Sequence, residues 1–163
     1  MGDFTQSILG ALWRCVKRVA EMCKAPKTLP SGLPIHVHDD EKLTRFLTSS
    51  RHFNTKMVKP AALLPNPKNG ETSVFRHGEH PADSLWEIGR THIGGDRSLH
   101  GAAVIAASVV RVELLEVTAD EPPDRHANII GWPSDPDDPV LTKAKRKEKA
   151  AVLAGNSILL FPR

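Results

Sequence analysis

The apolar residues of this 163-residue chain come in short runs that prolines and glycines interrupt. The longest run, Ala102 to Val110, is far too short to cross a lipid bilayer. Runs of this length form short strands or short amphipathic helices, and here the two patterns follow one another in no regular order. A strict alternation of strand and helix would instead indicate a parallel α/β fold. The pattern therefore predicts an α+β fold in one compact domain of short mixed strands and helices.

The composition is that of a globular protein with a mildly basic surface. Hydrophobic residues make up 40% and charged residues 25%, while aromatic residues reach only 5% and Tyr is missing. The core must therefore consist mainly of Leu, Ile, Val and Ala. A formal net charge of +3 permits contact with nucleic acid but does not require it, because phosphate binding needs clustered charge.

Local patterns predict most of the individual elements. Strands are expected at 72–75, 102–106, 126–132 and 157–161, and helices at 81–88 and 141–154. Residues 108–114 are compatible with a helix or with a continued strand. Residues 56–64, which Pro60 interrupts, predict an extended segment or an edge strand. The sequence Asp39-Asp40 precedes Leu43, Phe46 and Leu47, whose spacing predicts a capped helix that ends near Ser50.

Residues 1–24 have the clearest amphipathic helical pattern in the chain. Apolar side chains recur at helical spacing from Phe4 onward, and basic side chains occupy the opposite side. Such a helix can dock on a protein partner, pair with its own copy, fold back on its own domain or lie on a membrane surface. Docking on protein is the favoured interpretation. The predicted partner-binding residues are Phe4, Ile8, Leu12, Trp13, Val16 and Val19.

The next segment, residues 25–34, contains three prolines and a glycine and predicts a stiff linker. Residues 35–163 then form the predicted α+β domain. The cysteines, Cys15 and Cys23, are eight positions apart in the predicted helix. That spacing is about 12 Å along a helix, too far for a disulfide bond between them. A reducing compartment and a cytoplasmic location are therefore expected.

Three Arg-His pairs are the main candidates for chemistry. Arg51-His52, Arg76-His77 and Arg125-His126 each stand at the edge of a predicted strand or extended segment. If those edges converge, guanidinium groups could bind phosphate oxygens and imidazoles could serve as acid and base. Asn128 would share the face of His126. The alternative is that each pair is a separate surface feature.

Other routes to chemistry lack their usual signals. The pairs His36/His38 and His77/His80 have no Asp, Glu or Cys partner at a metal-ligand spacing, so we expect no metal. The chain has no nucleotide-binding loop and no G-x-S-x-G, which predicts no cofactor and no nucleophile elbow. The basic run at residues 143–149 spreads its charges around a helix, an arrangement typical of a solvated surface.

Two segments resemble a known group of proteins. Ser73-Val74-Phe75-Arg76 and the run from Arg125 to Pro133, RHANIIGWP, are similar to motifs of small bacterial proteins for which no activity is established. The resemblance extends over about residues 40–155 and leaves out the N-terminal helix. It implies that residues 35–163 form a self-standing module and that residues 1–34 are an added segment, and it carries no catalytic residues.

These patterns support three functional hypotheses. The leading one is a non-enzymatic adaptor that docks on a protein partner, or on its own copy, through residues 3–24. The second is a small nuclease or an enzyme for phosphate esters that uses the Arg-His pairs. The third is a nucleic-acid-binding module that uses residues 143–149, with binding that weakens steeply as salt rises.

Overall fold

The computed structural model describes residues 28–77, 82–93 and 98–162. The strands are β1 Lys42–Leu47, β2 Thr72–Arg76, β3 Gly101–Ala106, β4 Glu116–Ala119, β5 His126–Ile130 and β6 Ile158–Leu160; the helices are α1 Ala82–His92, α2 Ala107–Val112 and α3 Pro139–Gly155. The six strands form one sheet in the order β4-β5-β2-β1-β3-β6, and each strand runs antiparallel to its neighbours. This architecture confirms the α+β prediction, while the predicted N-terminal helix lies outside the described residues.

One side of the sheet, which we call the core face, carries the main hydrophobic core. Side chains alternate between the two faces of a strand, so Leu43, Val74 and Ile129 point to this side together. All of them are fully buried. Helix α3 and the turn of 3-10 helix at Pro60–Ala62 cover them, with Leu153 of α3 packed into the same cluster. The core face is therefore covered mainly by aliphatic side chains.

The opposite side, which we call the α1 face, is only partly covered. Leu85 and Trp86 of α1 pack on Phe46 and Phe75 of the sheet in a second, smaller cluster. Helix and sheet approach closely at Gly89, where an added Cβ would lie 2.7 Å from Phe46 Cε1. The sequence predicted that this helix ends before Gly89, but α1 continues to His92. The glycine thus serves close packing inside the helix and does not end it.

Strand β1 replaces a predicted helix. Leu43 and Leu47 belong to the cluster on the core face, whereas Phe46 belongs to the cluster on the α1 face. A strand buried on both sides has apolar residues at spacings that also fit a helix. The prediction of a helix over these residues is therefore wrong, because pairing with β2 and β3 decides the structure. Strand β4 was not predicted from the sequence.

Residues 28–34 of the proline-rich segment make a tight turn. Thr28 pairs with Pro34 in an antiparallel bridge, and the Leu29 N–H donates to the Leu33 carbonyl at 2.8 Å. The Ser31 hydroxyl donates to Glu121 Oε1 at 2.5 Å. This part of the predicted linker is therefore bonded to the domain and is not a free extended spacer.

Most of the remaining predicted elements are found close to where they were expected, but residues 56–64 form no strand. Helix α3 begins after Asp138, whose carboxylate accepts from the Leu141 N–H at 2.8 Å, and Pro139 occupies its first turn. Residues 56–64 contain a single bridge, at Val58, and a turn of 3-10 helix. The ambiguous segment after β3 is the short helix α2. Within the described residues, no helix has the length and apolar character needed to cross a membrane.

Candidate functional site

The hairpin of β4 and β5 places His126 opposite Asp120. The Asp120 N–H donates to the His126 carbonyl at 3.0 Å, which continues the ladder of the two strands. The His126 N–H donates to the Pro123 carbonyl, also at 3.0 Å, and closes the connecting loop. Arg125 has a φ of 65°, a conformation that reverses the chain just before the strand starts. These two hydrogen bonds therefore fix the backbone of His126, one at its N–H and one at its carbonyl.

The register of β2 and β5 brings Ser73 to the same imidazole. Ser73 pairs with Asn128, and Phe75 pairs with His126. Ser73 and His126 thus occupy diagonal positions on the α1 face, at a distance that a histidine side chain can span. Ser73 Oγ lies 2.7 Å from His126 Nε2.

The environment of His126 determines which ring nitrogen carries the proton. Nδ1 lies 2.9 Å from the carbonyl oxygen of Asp120. A carbonyl only accepts hydrogen bonds, so Nδ1 of the neutral ring is the donor. Nε2 is then the acceptor, and the Ser73 hydroxyl donates to it. This is the tautomer in which an imidazole can take a proton from a hydroxyl nucleophile.

The Asp120 carboxylate is the third group in the series of contacts that runs from Ser73 through His126. Its Oδ2 lies 3.4 Å from His126 Nδ1, longer than an ordinary hydrogen bond of about 2.7–3.2 Å. Asn128 Nδ2 donates to the same oxygen at 2.9 Å. Asn128 is buried, whereas the Asp120 side chain is 59% exposed. The amide therefore holds a solvated carboxylate beside the ring, while the carbonyl makes the shorter bond.

A cavity of about 240 Å³ opens beside Ser73. It exists because β1 pairs with β3 along its whole length but with β2 only at Leu43 and Thr44. The pairing of β1 with β2 ends at Thr44, and Arg45 lines the cavity next to it. Its guanidinium donates to the Ser73 carbonyl at 2.8 Å and to the Ala62 carbonyl at 3.2 Å.

The end of α1 and the loop before β5 complete the walls of this cavity. His92 and Ile93 contribute from the helix side, and Pro123 contributes from the loop. The Phe75 ring stacks on His92 with 5.3 Å between centroids and meets His126 edge-on at 5.4 Å. Aromatic packing thus fixes the two imidazoles that line the cavity.

Arg76, a predicted phosphate ligand, is bound by the protein itself. Its side chain is fully buried, and Nε and Nη2 each donate to a Glu41 carboxylate oxygen at 2.8 Å. Nη1 donates to the Pro34 carbonyl at 2.6 Å. Burial by itself raises the pKa of Glu41, but the hydrogen bonds from Arg76 and from the His38 N–H, together with the charge of Arg76, outweigh burial and hold that pKa below its ordinary value. Arg76 therefore joins the segment before β1 to the sheet.

The sheet places the second and third Arg-His pairs side by side. The Arg76 N–H donates to the Arg125 carbonyl at 2.8 Å, and Arg125 Nη1 donates to the buried His77 at its carbonyl, at 3.1 Å. Burial and the nearby charge of Arg76 lower the pKa of Arg125, against the opposing effect of Glu121. Hydrogen bonds from Ser31 and the Arg125 N–H in turn lower the pKa of Glu121, although its burial acts in the opposite direction.

The first Arg-His pair lies on a turn of 3-10 helix at Ser50–His52. The Arg51 side chain is exposed there, and the His52 carbonyl accepts from the Lys59 N–H at 2.8 Å. Burial, followed by the charge of Arg45, lowers the pKa of His52. Among the predicted site residues, the structure joins His126 and Asn128 to the serine site directly, and His52 approaches it only through Arg45.

The remaining sequence candidates lie elsewhere. The predicted partner-binding residues at positions 4–19 are outside the described part of the chain. His36 and His38 contact each other with ring centroids 5.2 Å apart, and no group of three potential ligands among His, Cys, Asp and Glu occurs within the described residues. In the basic run of α3, Arg146 and Lys149 donate to the carbonyls of Pro133 and Glu113.

Comparison with known proteins gives no independent assignment. No protein-family model, curated protein or solved structure matches the chain. The resemblance through residues 73–76 and 125–133 therefore stays a prediction. Those two segments are the neighbouring strands β2 and β5 and the residues that flank β5, so they carry Ser73 and His126 into contact.

Sequence reasoning found His126 and Asn128 but missed Ser73, Asp120 and Arg45. Ser73 was assigned only to a strand, because no elbow motif surrounds it. Asp120 was assigned to a loop. The available signal was alternation: Ser73 and Phe75 share one face of β2, and His126 and Asn128 share one face of β5. That signal becomes useful only once β2 and β5 are known to be neighbours.

Proposed function

We propose that this protein is a hydrolase of small esters in which Ser73 is the nucleophile. The observation that carries the proposal is the chain of contacts from Ser73 Oγ to His126 Nε2, at 2.7 Å, and from His126 Nδ1 to Asp120. A nucleophile in contact with a base, itself oriented by a third group, is the arrangement that hydroxyl catalysis requires. The cavity beside Ser73 provides room for the reacting group.

The reaction follows from the hydrogen-bond directions. Ser73 Oγ attacks the ester carbonyl carbon while His126 Nε2 takes the hydroxyl proton. The carbon–oxygen bond to the leaving alcohol then breaks, and the imidazolium returns the proton to that alcohol. Water attacks the resulting acyl-serine with His126 again as the base, and the acid product leaves with Ser73 restored. The net reaction is ester plus water giving acid plus alcohol.

Asp120 supports the imidazolium in two ways. Its carbonyl holds the proton on Nδ1 throughout, which keeps Nε2 directed at Ser73. Its carboxylate at 3.4 Å stabilises the positive charge that forms during attack. Because the carboxylate is largely solvated, this stabilisation is smaller than it would be in a buried site.

The test is hydrolysis of p-nitrophenyl acetate by the purified full chain. Ser73→Ala is expected to lower kcat/KM by on the order of 10³-fold, since the covalent route is lost. The exposed serine of the 3-10 turn gives a matched control, and Ser50→Ala should retain the rate. Thermal unfolding of both variants shows whether the fold is kept. Equal rates for wild type and a folded Ser73→Ala protein would refute the proposal.

The adaptor hypothesis stays a prediction about residues 3–24, and the cytoplasmic location stays one too. Docking through that segment is compatible with a hydrolase, because it uses a different part of the chain. Deletion of residues 1–27 separates the two functions. Ester hydrolysis should persist in the shortened protein, whereas capture of a partner should be lost.

The phosphate-ester and nucleic-acid hypotheses have less structural support. Arg76 donates to Glu41 and to the Pro34 carbonyl, which leaves it poorly placed to hold a phosphate. Arg146 and Lys149 donate to carbonyls of the domain, so the basic run at residues 143–149 offers fewer charges to a phosphate backbone than its sequence indicated.

A further inference from the structure

A groove of about 550 Å³ lies beside β4, the strand at one edge of the sheet. We call it the β4 groove, and its lining consists of His36, Arg111, Leu114, Leu115, Glu116 and Val117. None of these residues lines the Ser73 cavity. The β4 groove is therefore a separate feature of the surface.

The surface at the β4 groove is rich in exposed apolar side chains. Leu114 in the lining is 85% exposed. Ile35 and Val112, which directly neighbour lining residues in the chain, are 49% and 78% exposed. Large apolar side chains that lie together on a surface mark a place where another surface binds.

The backbone of Leu114 points to the same conclusion. Its φ is 56°, in the left-handed region that glycine and asparagine adopt more readily than leucine. A leucine that is both strained and exposed stabilises the domain little by its own contacts. Strained residues of this kind are concentrated at sites that hold a ligand or another segment.

The chain enters the domain next to this groove. Thr28 and Pro34 form an antiparallel bridge, and the turn between them is anchored by the Ser31 N–H, which donates to Glu121 Oε2 at 3.0 Å. In an antiparallel pair, the residue before Thr28 faces the residue after Pro34. The backbone at Thr28 is therefore directed toward His36, which lines the groove.

The distance to be spanned is short. Pro34 and His36 are two positions apart, which is at most about 7 Å of extended chain. Residues 25–27 can extend over about 10 Å. They are long enough to bring the residues before them to the β4 groove.

We propose that residues 3–24 of the same chain occupy the β4 groove, with their apolar stripe against Leu114. Apolar side chains recur at helical spacing in this segment. An amphipathic helix that lays its apolar side into an apolar groove is a recurrent mode of recognition. The inference concerns a different surface from Ser73 and does not depend on the proposed ester hydrolysis.

The tether favours the chain's own segment over another molecule. A segment joined to its site by a few residues has an effective concentration in roughly the millimolar range, whereas a second copy or a partner must bind from dilute solution. The adaptor hypothesis needs the same apolar stripe to be free for a partner. The two interpretations therefore make opposite predictions for the purified protein.

Amide hydrogen exchange of the full chain, measured by peptide mass spectrometry, tests the proposal. Amides in residues 3–24 of wild type should exchange at least about 10-fold more slowly than unstructured amides, because an undocked helix of this length is marginal in water. Leu114→Asn keeps a residue that tolerates the left-handed region and removes the apolar contact. It should accelerate this exchange by about 10-fold or more.

Leu141→Asn is the matched control. It makes the same substitution at an exposed leucine of α3 and should leave exchange in residues 3–24 unchanged. A reciprocal variant covers the case in which Leu114→Asn fails to fold. Leu12→Asn alters the stripe and should accelerate exchange at residues 114–117, while the amides of β3 keep their wild-type rates.

Three results would overturn the proposal. The first is unprotected amides in residues 3–24 of the wild-type protein, which would leave the stripe free as the adaptor hypothesis requires. The second is protection that neither Leu114→Asn nor Leu12→Asn alters at the opposite surface. The third is protection that disappears when the protein is diluted about 100-fold, since that would make a second copy the occupant of the groove.

Discussion

The two faces of the sheet differ in how completely they are covered. On the core face, aliphatic side chains from five strands and from α3 bury one another, and the buried Arg76 is enclosed by Glu41. On the α1 face, α1 covers only part of the strands. Beyond the end of α1, Ser73 is hydrogen-bonded to His126, and Asn128 donates to Asp120.

Two arginines on the neighbouring strands β1 and β2 differ in their surroundings. Arg76 is fully buried with a bidentate carboxylate partner, whereas Arg45 is half-buried beside a cavity and donates to backbone carbonyls. Arg76 pairs with a carboxylate inside the fold, and Arg45 lines a cavity. The candidate site therefore lies where the sheet is incompletely covered by other elements.

The largest expected effect on stability comes from the core face. Arg76→Met should lower the free energy of unfolding by about 3–5 kcal/mol, because it leaves the Glu41 carboxylate without its cation and the half-buried Pro34 carbonyl without its donor. Urea denaturation measures this loss. Arg111→Met is the comparison: Arg111 pairs with the mostly exposed Asp39 and donates to the Val37 carbonyl, and its loss should cost less, about 1 kcal/mol. Equal losses in the two variants would contradict the contrast between the buried and exposed ion pairs.

The same ion pair makes stability depend on acid. The folded pKa of Glu41 lies below its ordinary value of 4.5, so its contribution is fully present above that value. It is lost as the pH falls through the folded pKa. The midpoint of urea unfolding in wild type should therefore drop more steeply below about pH 4.5 than in Glu41→Gln. Parallel pH profiles for the two proteins would show that this pair is not the acid-sensitive element.

A smaller effect is expected at Asp120 on the α1 face. Asp120→Asn removes the carboxylate but keeps the carbonyl that holds the proton on His126 Nδ1. We expect kcat/KM for ester hydrolysis to fall by less than about 10-fold. His126→Gln, which removes the base itself, should lower it by on the order of 10³-fold. A loss of similar size for both variants would make the carboxylate the group that orients the ring.

The smallest expected effect concerns a buried hydroxyl. Thr44 is fully buried, and its Oγ1 has no hydrogen-bond partner within the described residues. Thr44→Val removes this cost and should stabilise the fold by about 1 kcal/mol. The control is Thr72→Val, because the Thr72 hydroxyl donates to the Leu63 carbonyl at 3.1 Å, and its loss should destabilise the protein. Thermal unfolding of both variants gives the two signs.

The sequence was sufficient for elements whose burial is one-sided or continuous. The apolar run of β3 and the helical pattern at residues 141–154 predicted both elements close to their observed positions. It failed at β1, where burial on both faces imitates a helical spacing, and at β4, a very short strand in which only Val117 and the half-buried Ala119 are apolar and face the core.

The candidate site was only partly predictable for a related reason. His126 and Asn128 attracted attention through their residue types, but the nucleophile and its orienting group are ordinary until three strands are placed in register. Tertiary pairing decides which distant strands become neighbours, and no local sequence pattern predicts that pairing. Arg76 is the reverse case. Its Arg-His pair predicted a role in chemistry, but the structure buries its side chain against Glu41.

The most direct measurement of the central claim is covalent labelling of the full chain with a fluorophosphonate, followed by peptide mass spectrometry. These reagents modify serines that a neighbouring base activates. If Ser73 is the nucleophile, Ser73 is the modified serine, and His126→Gln shows no modification. Labelling at another serine, or no labelling of the folded wild-type protein, would contradict a nucleophilic role for Ser73.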